Sequence, residues 1–122
     1  MSLRAFGPAV TGMIKTIRDG HPRIPLVVIS PIISPTRETT PNAVGCTLVA
    51  MREILAHLVA ALQAHGDRQL HDVNGLELFG PESLDCLPDG LHPNAEGHQR
   101  IARTFIEKVV QPFFQGLDEA RA

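Results

Sequence analysis

Asp89 and His92 are the residues whose types and spacing best suit catalysis. They lie three positions apart in a turn that contains Gly90 and directly precedes a predicted helix. At this spacing the Asp89 carboxylate can accept a hydrogen bond from Nδ1 of the imidazole, which fixes the tautomer and leaves Nε2 free as a general base. We expect the carboxylate to be buried, so that its charge stabilises the imidazolium. The structural alternative is a helix-capping carboxylate beside a surface histidine.

The other histidines and the two cysteines do not follow a metal-site pattern. His57 and His65 are eight positions apart on one predicted helix, whereas paired ligands on a helix follow spacings such as His-x-x-x-His. Cys46 and Cys86 belong to no Cys-x-x-Cys pair, and we expect free thiols, with a disulfide left open. We therefore predict no metal site.

The chain alternates between helical and extended patterns, which predicts an α/β fold. The predicted helices are residues 3–19, 43–65 and 94–110, the predicted strands are 25–30 and 69–73, and a loop rich in Pro, Asp and Gly spans 80–93. Asn94 is the predicted N-cap of the last helix and Pro112 its predicted end. On the long second helix we expect Arg52 and Glu53 to face solvent.

The strand at 25–30 is a continuous apolar run rather than an alternating one. Such runs are typical of parallel sheets that are covered by helices on both faces. A strand of this kind needs a neighbour on each side, and the sequence offers only one, at 69–73. We therefore expect a small parallel sheet of about two strands flanked by helices, with one edge left open.

The pattern Asp-x-x-His-Pro-x-x-x-Gly at residues 89–97 closely resembles the last sequence block of the SGNH, or GDSL, hydrolase family. The order before it is also similar: a strand followed by the loop 31–35, a long helix and a short strand ending at Asp72. The resemblance implies that residues 1–122 are one partial domain, the C-terminal portion of a flavodoxin-like hydrolase domain. We expect residues 117–122 to be a disordered tail.

By this resemblance, Asp89 is the triad carboxylate and His92 the general base of a Ser-His-Asp ester hydrolase, a GDSL-type lipase or esterase, or of an acyltransferase. The acyl and alcohol groups stay open, and the resemblance implies no cofactor. The family's nucleophilic Gly-Asp-Ser block is not in this sequence. Nor do Asn42, Asn74 or Asn94 lie in a Gly-x-Asn-Asp block that could supply the oxyanion hole. We therefore expect the isolated chain to be inactive.

Three serines, Ser30, Ser34 and Ser83, lie in Ser-Pro or Glu-Ser contexts that do not match a nucleophile. We expect them to be loop residues, and Ser34 is the one candidate for an unorthodox nucleophile. We also expect the chain to form a homo-oligomer through its exposed sheet edge or its uncovered helix faces.

Composition narrows the possible partners of this chain. Its formal net charge is −2 and its aromatic residues are all Phe, which argues against a nucleic-acid surface. Its apolar runs are shorter than the roughly 20 residues that a membrane span requires. The predicted partner is a small-molecule ester. The alternative from another class is a non-catalytic α/β interaction module that carries an incidental Asp-x-x-His-Pro turn.

Overall fold

The structure is a computed structural model that describes residues 1–116. The predicted α/β fold is confirmed as a two-stranded parallel sheet flanked by helices. The predicted tail at 117–122 lies outside the described residues. The elements are α1 (Leu3–Gly20), β1 (Leu26–Ile29), α2 (Leu48–Ala64), β2 (Leu70–Val73), α3 (Gly75–Leu78), a 3-10 helix (Pro81–Cys86), α4 (Ala95–Phe105), a π turn (Ile106–Val110) and α5 (Gln111–Phe113).

The two strands run parallel, with Leu26 opposite Leu70 and Ile29 opposite Val73. The amide of Ser30 donates to the carbonyl of Val73 at 3.1 Å, just beyond the last residue of β1. The strands are parallel, with α2 as the crossover between them, so both carboxyl ends lie at the same end of the sheet. Within residues 1–116, β1 pairs with β2 alone, so its other edge is open.

Helices cover both faces of this small sheet. α1 and α2 pack on one face, while the segment that follows β2 and the C-terminal helical region pack on the other. A third apolar cluster lies beyond the carboxyl end of β1 and includes Ile33, Phe79 and Cys86. The buried residues that pack together at the first face are Ile14, Val59 and Leu70, and those at the second face are Val73, Leu78 and Val109.

α2 begins five residues later than the apolar pattern predicts. Asn42 closes a turn here, because its Oδ1 accepts from the amides of Val44 and Cys46. Gly45 has φ of +83°, a left-handed conformation that favours glycine. Thr47 then caps the helix by accepting from the amide of Ala50 at 3.1 Å. These local side-chain hydrogen bonds stabilise a turn at 43–47 in place of the predicted helix.

The C-terminal helix does not end at Pro112 as predicted. The amide of Gln111 donates five residues back to the carbonyl of Ile106, and Pro112 lies in the first turn of α5. Proline is tolerated there because a first-turn amide has no helical acceptor. On this helical region Phe105 and Ile106 are exposed, whereas Val109 is buried.

The predicted loop at 80–93 begins with the 3-10 helix, and α3 lies between β2 and this loop. Gly75 is required where α3 meets β1, because a Cβ there would lie 2.1 Å from the carbonyl oxygen of Ser30. Within the described residues, no helix combines the length and apolar character needed to cross a membrane.

Candidate active site

The Asp89–His92 turn lies between the 3-10 helix and α4, next to the loop that follows β1. Oδ1 of Asp89 accepts from the backbone amides of Leu91 at 2.9 Å and His92 at 2.7 Å. Oδ2 of the same carboxylate lies 2.5 Å from Nδ1 of His92. One carboxylate therefore holds both the backbone of the turn and the imidazole ring.

These bonds also favour the charged form of the Asp89 carboxylate. The His92 amide, then the His92 imidazole and the Leu91 amide, hold the pKa of Asp89 well below its usual range. Because the carboxylate is ionised at neutral pH, the hydrogen between the two groups belongs to Nδ1. Within residues 1–116 the imidazole bonds only through Nδ1, so Nε2 is free to accept a proton.

The expected burial of the carboxylate is wrong for this chain. The His92 side chain is 76% exposed and the Asp89 side chain 54% exposed. The turn lies on the surface, and no element within residues 1–116 covers it. Water screens such a pair, so its contribution to folding stability is small. The contact between Asp89 and His92 is formed, but the carboxylate lacks the burial that would strengthen its interaction with a charged imidazole.

Several bonds fix the turn to the body of the chain. Gly90 has φ of +75°, and its amide donates to the carbonyl of Leu87 at 3.1 Å. The Ser34 hydroxyl donates to the Gly90 carbonyl at 2.8 Å. Asn94 caps α4 as predicted, accepting from the amide of Gly97 at 2.9 Å. A Cβ at Gly97 would lie 2.9 Å from the Pro93 Cβ, which explains the glycine at this position.

All four serines of the chain have structural roles. Ser2 caps α1, and Ser30 accepts from the amide of Gly75. Ser34, the unorthodox nucleophile considered above, is 3% exposed and uses its hydroxyl hydrogen on the Gly90 carbonyl. Ser83 is buried and accepts from Arg100 at 3.4 Å. None of the four presents a free hydroxyl to Nε2 of His92.

The three asparagines considered as oxyanion donors act as local caps. Asn42 closes the turn before α2, Asn74 accepts from the amide of Leu76, and Asn94 caps α4. Their side-chain oxygens are occupied by neighbouring backbone amides. The structure therefore does not bring an oxyanion hole to His92 from these residues.

Sequence reasoning missed a buried ion pair beside the turn. Arg52 was expected to face solvent, but its side chain is 8% exposed and pairs with Glu38, whereas Glu53 is exposed as expected. Arg52 holds the pKa of Glu38 below its usual range, and the amide of Ser34 acts in the same direction. The one available signal was an acidic residue in the loop after β1, which needs a cation if the loop packs closely.

The remaining ionisable groups fall into separate places. Both cysteines are free and buried, and burial raises the pKa of the Cys86 thiol. Asp85, Cys86 and Glu96 present possible ligand atoms within 4.8 Å of one another. However, Arg100 already pairs with both Asp85 and Glu96, which places a cation among them. This cluster is therefore a salt-bridge network.

His71 and Asp72 are adjacent on β2, so their side chains point to opposite faces of the sheet. The His71 ring stacks on Phe113, with ring centroids 4.2 Å apart. Oδ1 of Asp72 is buried without a hydrogen-bond partner within the described residues. Burial, and secondly the charge of Glu77, raises the pKa of Asp72.

The fold is similar to that of a known acyltransferase. No protein-family model matches the sequence, and no curated protein matches it either. A solved structure, described as the salicylyl-acyltransferase SsfX3 from a tetracycline biosynthetic pathway, superposes with a TM-score of 0.78 and 29% sequence identity. The match covers 89% of this chain and 32% of that chain. This chain therefore spans about a third of the length of the structure that it resembles.

Proposed function

We propose that this chain carries the Asp–His part of a Ser-His-Asp acyl-transfer site of the SGNH/GDSL type. His92 is the general base and Asp89 the carboxylate that orients it. The observation that carries the proposal is the 2.5 Å contact between Asp89 Oδ2 and His92 Nδ1, with Nε2 left free. The similarity of 89% of the chain to part of an acyltransferase supports the same chemistry.

In this mechanism Nε2 takes the proton of a serine hydroxyl as its Oγ attacks the ester carbonyl. Asp89 stabilises the imidazolium that forms, and the imidazolium then protonates the departing alkoxide. The resulting acyl-enzyme passes its acyl group to water in a hydrolase, or to another alcohol in an acyltransferase. Backbone and side-chain donors that stabilise the tetrahedral oxyanion complete the site. No step requires a metal or a cofactor.

The nucleophile and the oxyanion donors come, in this proposal, from polypeptide outside residues 1–122. The same polypeptide covers the Asp89–His92 turn and excludes water from it. The substrate is a small-molecule ester. The salicylyl group in the name of the similar structure makes an aromatic acyl ester the first substrate to try.

In this proposal, the polypeptide that completes the site packs against the open edge of β1. A groove of about 400 Å³ runs between α1 and β1 and is lined almost entirely by apolar side chains. Ile29 and Met13, which border it, are both exposed. In the isolated chain, a second copy meets this edge and forms a homodimer, because an unpaired strand edge beside an apolar groove favours association.

Ester hydrolysis by the purified 122-residue chain tests the first part of this proposal. With p-nitrophenyl acetate, we expect the chain and its His92→Ala variant to give the same rate, because none of the four serines faces Nε2. A rate that is lost in His92→Ala and accompanied by serine labelling would contradict the proposal, since it would require a nucleophile within the chain.

The alternative, a non-catalytic interaction module, is favoured by one observation: the pair is exposed and all four serines are structurally engaged. The coding sequence upstream of Met1 separates the two functions. A Gly-Asp-Ser block in the same reading frame supports the acyl-transfer site, whereas a frame without one supports the module.

A further inference from the structure

Arg52 is a buried cation with an unusually full set of partners. Its Nε donates to the carbonyl of Pro31 at 2.9 Å, and Nη2 donates to the carbonyl of Ile32 at 3.1 Å. Nη1 and Nη2 also bond the two carboxylate oxygens of Glu38 at 2.5 and 2.9 Å. Burying a charge is costly unless it is paired and hydrogen-bonded, so such a site is built around its partners.

These partners all belong to the loop that follows β1. Residues 31 and 32 lie beyond the end of the strand pairing, where β2 no longer supplies partners for their carbonyls. Arg52, on the first turns of α2, supplies donors to them instead. Glu38 extends the same network, because its Oε1 also accepts from the amide of Ser34 at 2.9 Å. The guanidinium therefore fixes the backbone of the loop at both ends of 31–34.

Ser34 connects this loop to the candidate site. Its hydroxyl, which is buried, donates to the carbonyl of Gly90 at 2.8 Å. Gly90 lies between Asp89 and His92, and its left-handed conformation lets the Asp89 carboxylate reach the amides of the same turn. A continuous path of hydrogen bonds thus leads from α2 through Arg52, Glu38 and Ser34 to the turn.

We propose that Arg52, acting through Glu38 and Ser34, is a positioning residue that holds the Asp89–His92 turn in its paired geometry. The role of His92 in this inference rests on the proposed function. The coupling itself is a property of the 122-residue chain and can be measured without any reaction. When Arg52 is replaced, the loop loosens, Gly90 loses its anchor and the imidazole separates from Asp89.

A second buried pair provides a matched control at the opposite end of the sheet. Arg18 bonds both oxygens of Asp67, at 2.8 and 3.1 Å, and the carbonyls of His21 and Ile24. Its side-chain exposure, 11%, is close to that of Arg52. Lysine cannot reproduce the planar fork of donors at either place, so Arg52→Lys and Arg18→Lys remove equivalent bonds. Only the first lies on the path to His92.

The experiment is amide hydrogen exchange and imidazole ¹⁵N NMR on the full chain. In Arg52→Lys, we expect exchange at the amides of Leu91 and His92 to accelerate by about tenfold or more, with no such change in Arg18→Lys. At about pH 9, where imidazoles are neutral, the His92 ¹⁵N shifts should move from the Nδ1–H toward the Nε2–H tautomer only in Arg52→Lys. Equal effects in the two variants, or none at these amides, would overturn the inference.

Substitutions at Ser34 test the last bond of the path and serve if Arg52→Lys does not fold. Ser34→Ala should accelerate exchange at the same two amides and shift the same tautomer, while Ser34→Thr, which keeps the hydroxyl, should restore both. A Ser34→Ala chain with an unchanged turn would reject the inference. Because no ester is involved, these results are independent of whether the proposed acyl-transfer function survives its own test.

Discussion

β1 and β2 differ in burial in the opposite sense to their apolar composition. β1 is Leu-Val-Val-Ile and β2 is Leu-His-Asp-Val, so β1 has the more apolar sequence. Yet Ile29 of β1 is 39% exposed and the other residues of the strand are only half-buried, whereas Leu70 and Val73 of β2 are buried. A strand composed for the middle of a sheet lies at an edge. The proposed acyl-transfer site predicts this difference, because polypeptide outside residues 1–122 would then pair with the open edge of β1.

Leu26 and Leu70 lie opposite each other and are the same residue type, so substituting each one compares how much burial stabilises the two strands. Leu70 packs against Ile14 and Val59 with no exposed surface. We expect Leu70→Ala to lower the free energy of unfolding by about 2–5 kcal/mol. Leu26→Ala should cost less than about half as much, because its methyl groups already contact water.

Chemical denaturation of the two variants at low protein concentration, where association is minimal, provides the comparison. Equal losses would mean that β1 is as well covered as β2, and the argument from an incomplete sheet would fail.

The second prediction concerns association at the open edge. Ile29→Lys places a charge on the exposed end of β1, and charged side chains on edge strands oppose pairing with another chain. We expect the dimer dissociation constant, measured by light scattering or sedimentation, to rise by at least about tenfold. Leu84→Lys is the matched control, because Leu84 is similarly exposed but lies on the 3-10 helix.

A wild-type chain that is monomeric at micromolar concentration would remove the proposed homodimer. Equal weakening by both lysine substitutions would move the interface away from β1.

The smallest predicted change in stability concerns Asp72 of β2. Burial raises the pKa of Asp72, so its ionised form destabilises the folded chain relative to the unfolded chain. Asp72→Asn should therefore increase the free energy of unfolding at neutral pH by roughly 1 kcal/mol. The gain should shrink as the pH falls through the raised pKa, because protonation relieves the same penalty in the wild type.

Thermal unfolding at several pH values, with the exposed Asp19→Asn as control, measures this difference. A stabilisation that is independent of pH would show that the buried charge is not its cause.

The sequence predicted the elements well where one pattern dominated. The apolar run at β1, the long stripe of α2 and the Asn94 cap all have local causes, and each is present in the structure. The spacing of Asp89 and His92 likewise predicted their contact, because a three-residue turn brings the two side chains together. These features depend on neighbours within a few residues along the chain.

The failures involve partners far apart in sequence or competition between local bonds. Arg52 is buried because Glu38 and two loop carbonyls lie beside it, and its helical spacing does not reveal them. The late start of α2 results from the turn that Asn42 closes. Asp89 is exposed because no element within residues 1–116 packs over its turn, and sequence spacing does not show whether a turn is covered.

The most direct test of the proposed roles of Asp89 and His92 is a chimera in which this chain replaces the matching third of the salicylyl-acyltransferase. We expect the folded chimera to hydrolyse p-nitrophenyl acetate, because the proposed function requires the nucleophile and the oxyanion donors to come from the rest of an acyl-transfer domain. His92→Ala and Asp89→Asn chimeras should lose about 10³-fold or more of this rate. A chimera that folds but is inactive, or whose rate is indifferent to His92→Ala, would contradict the account.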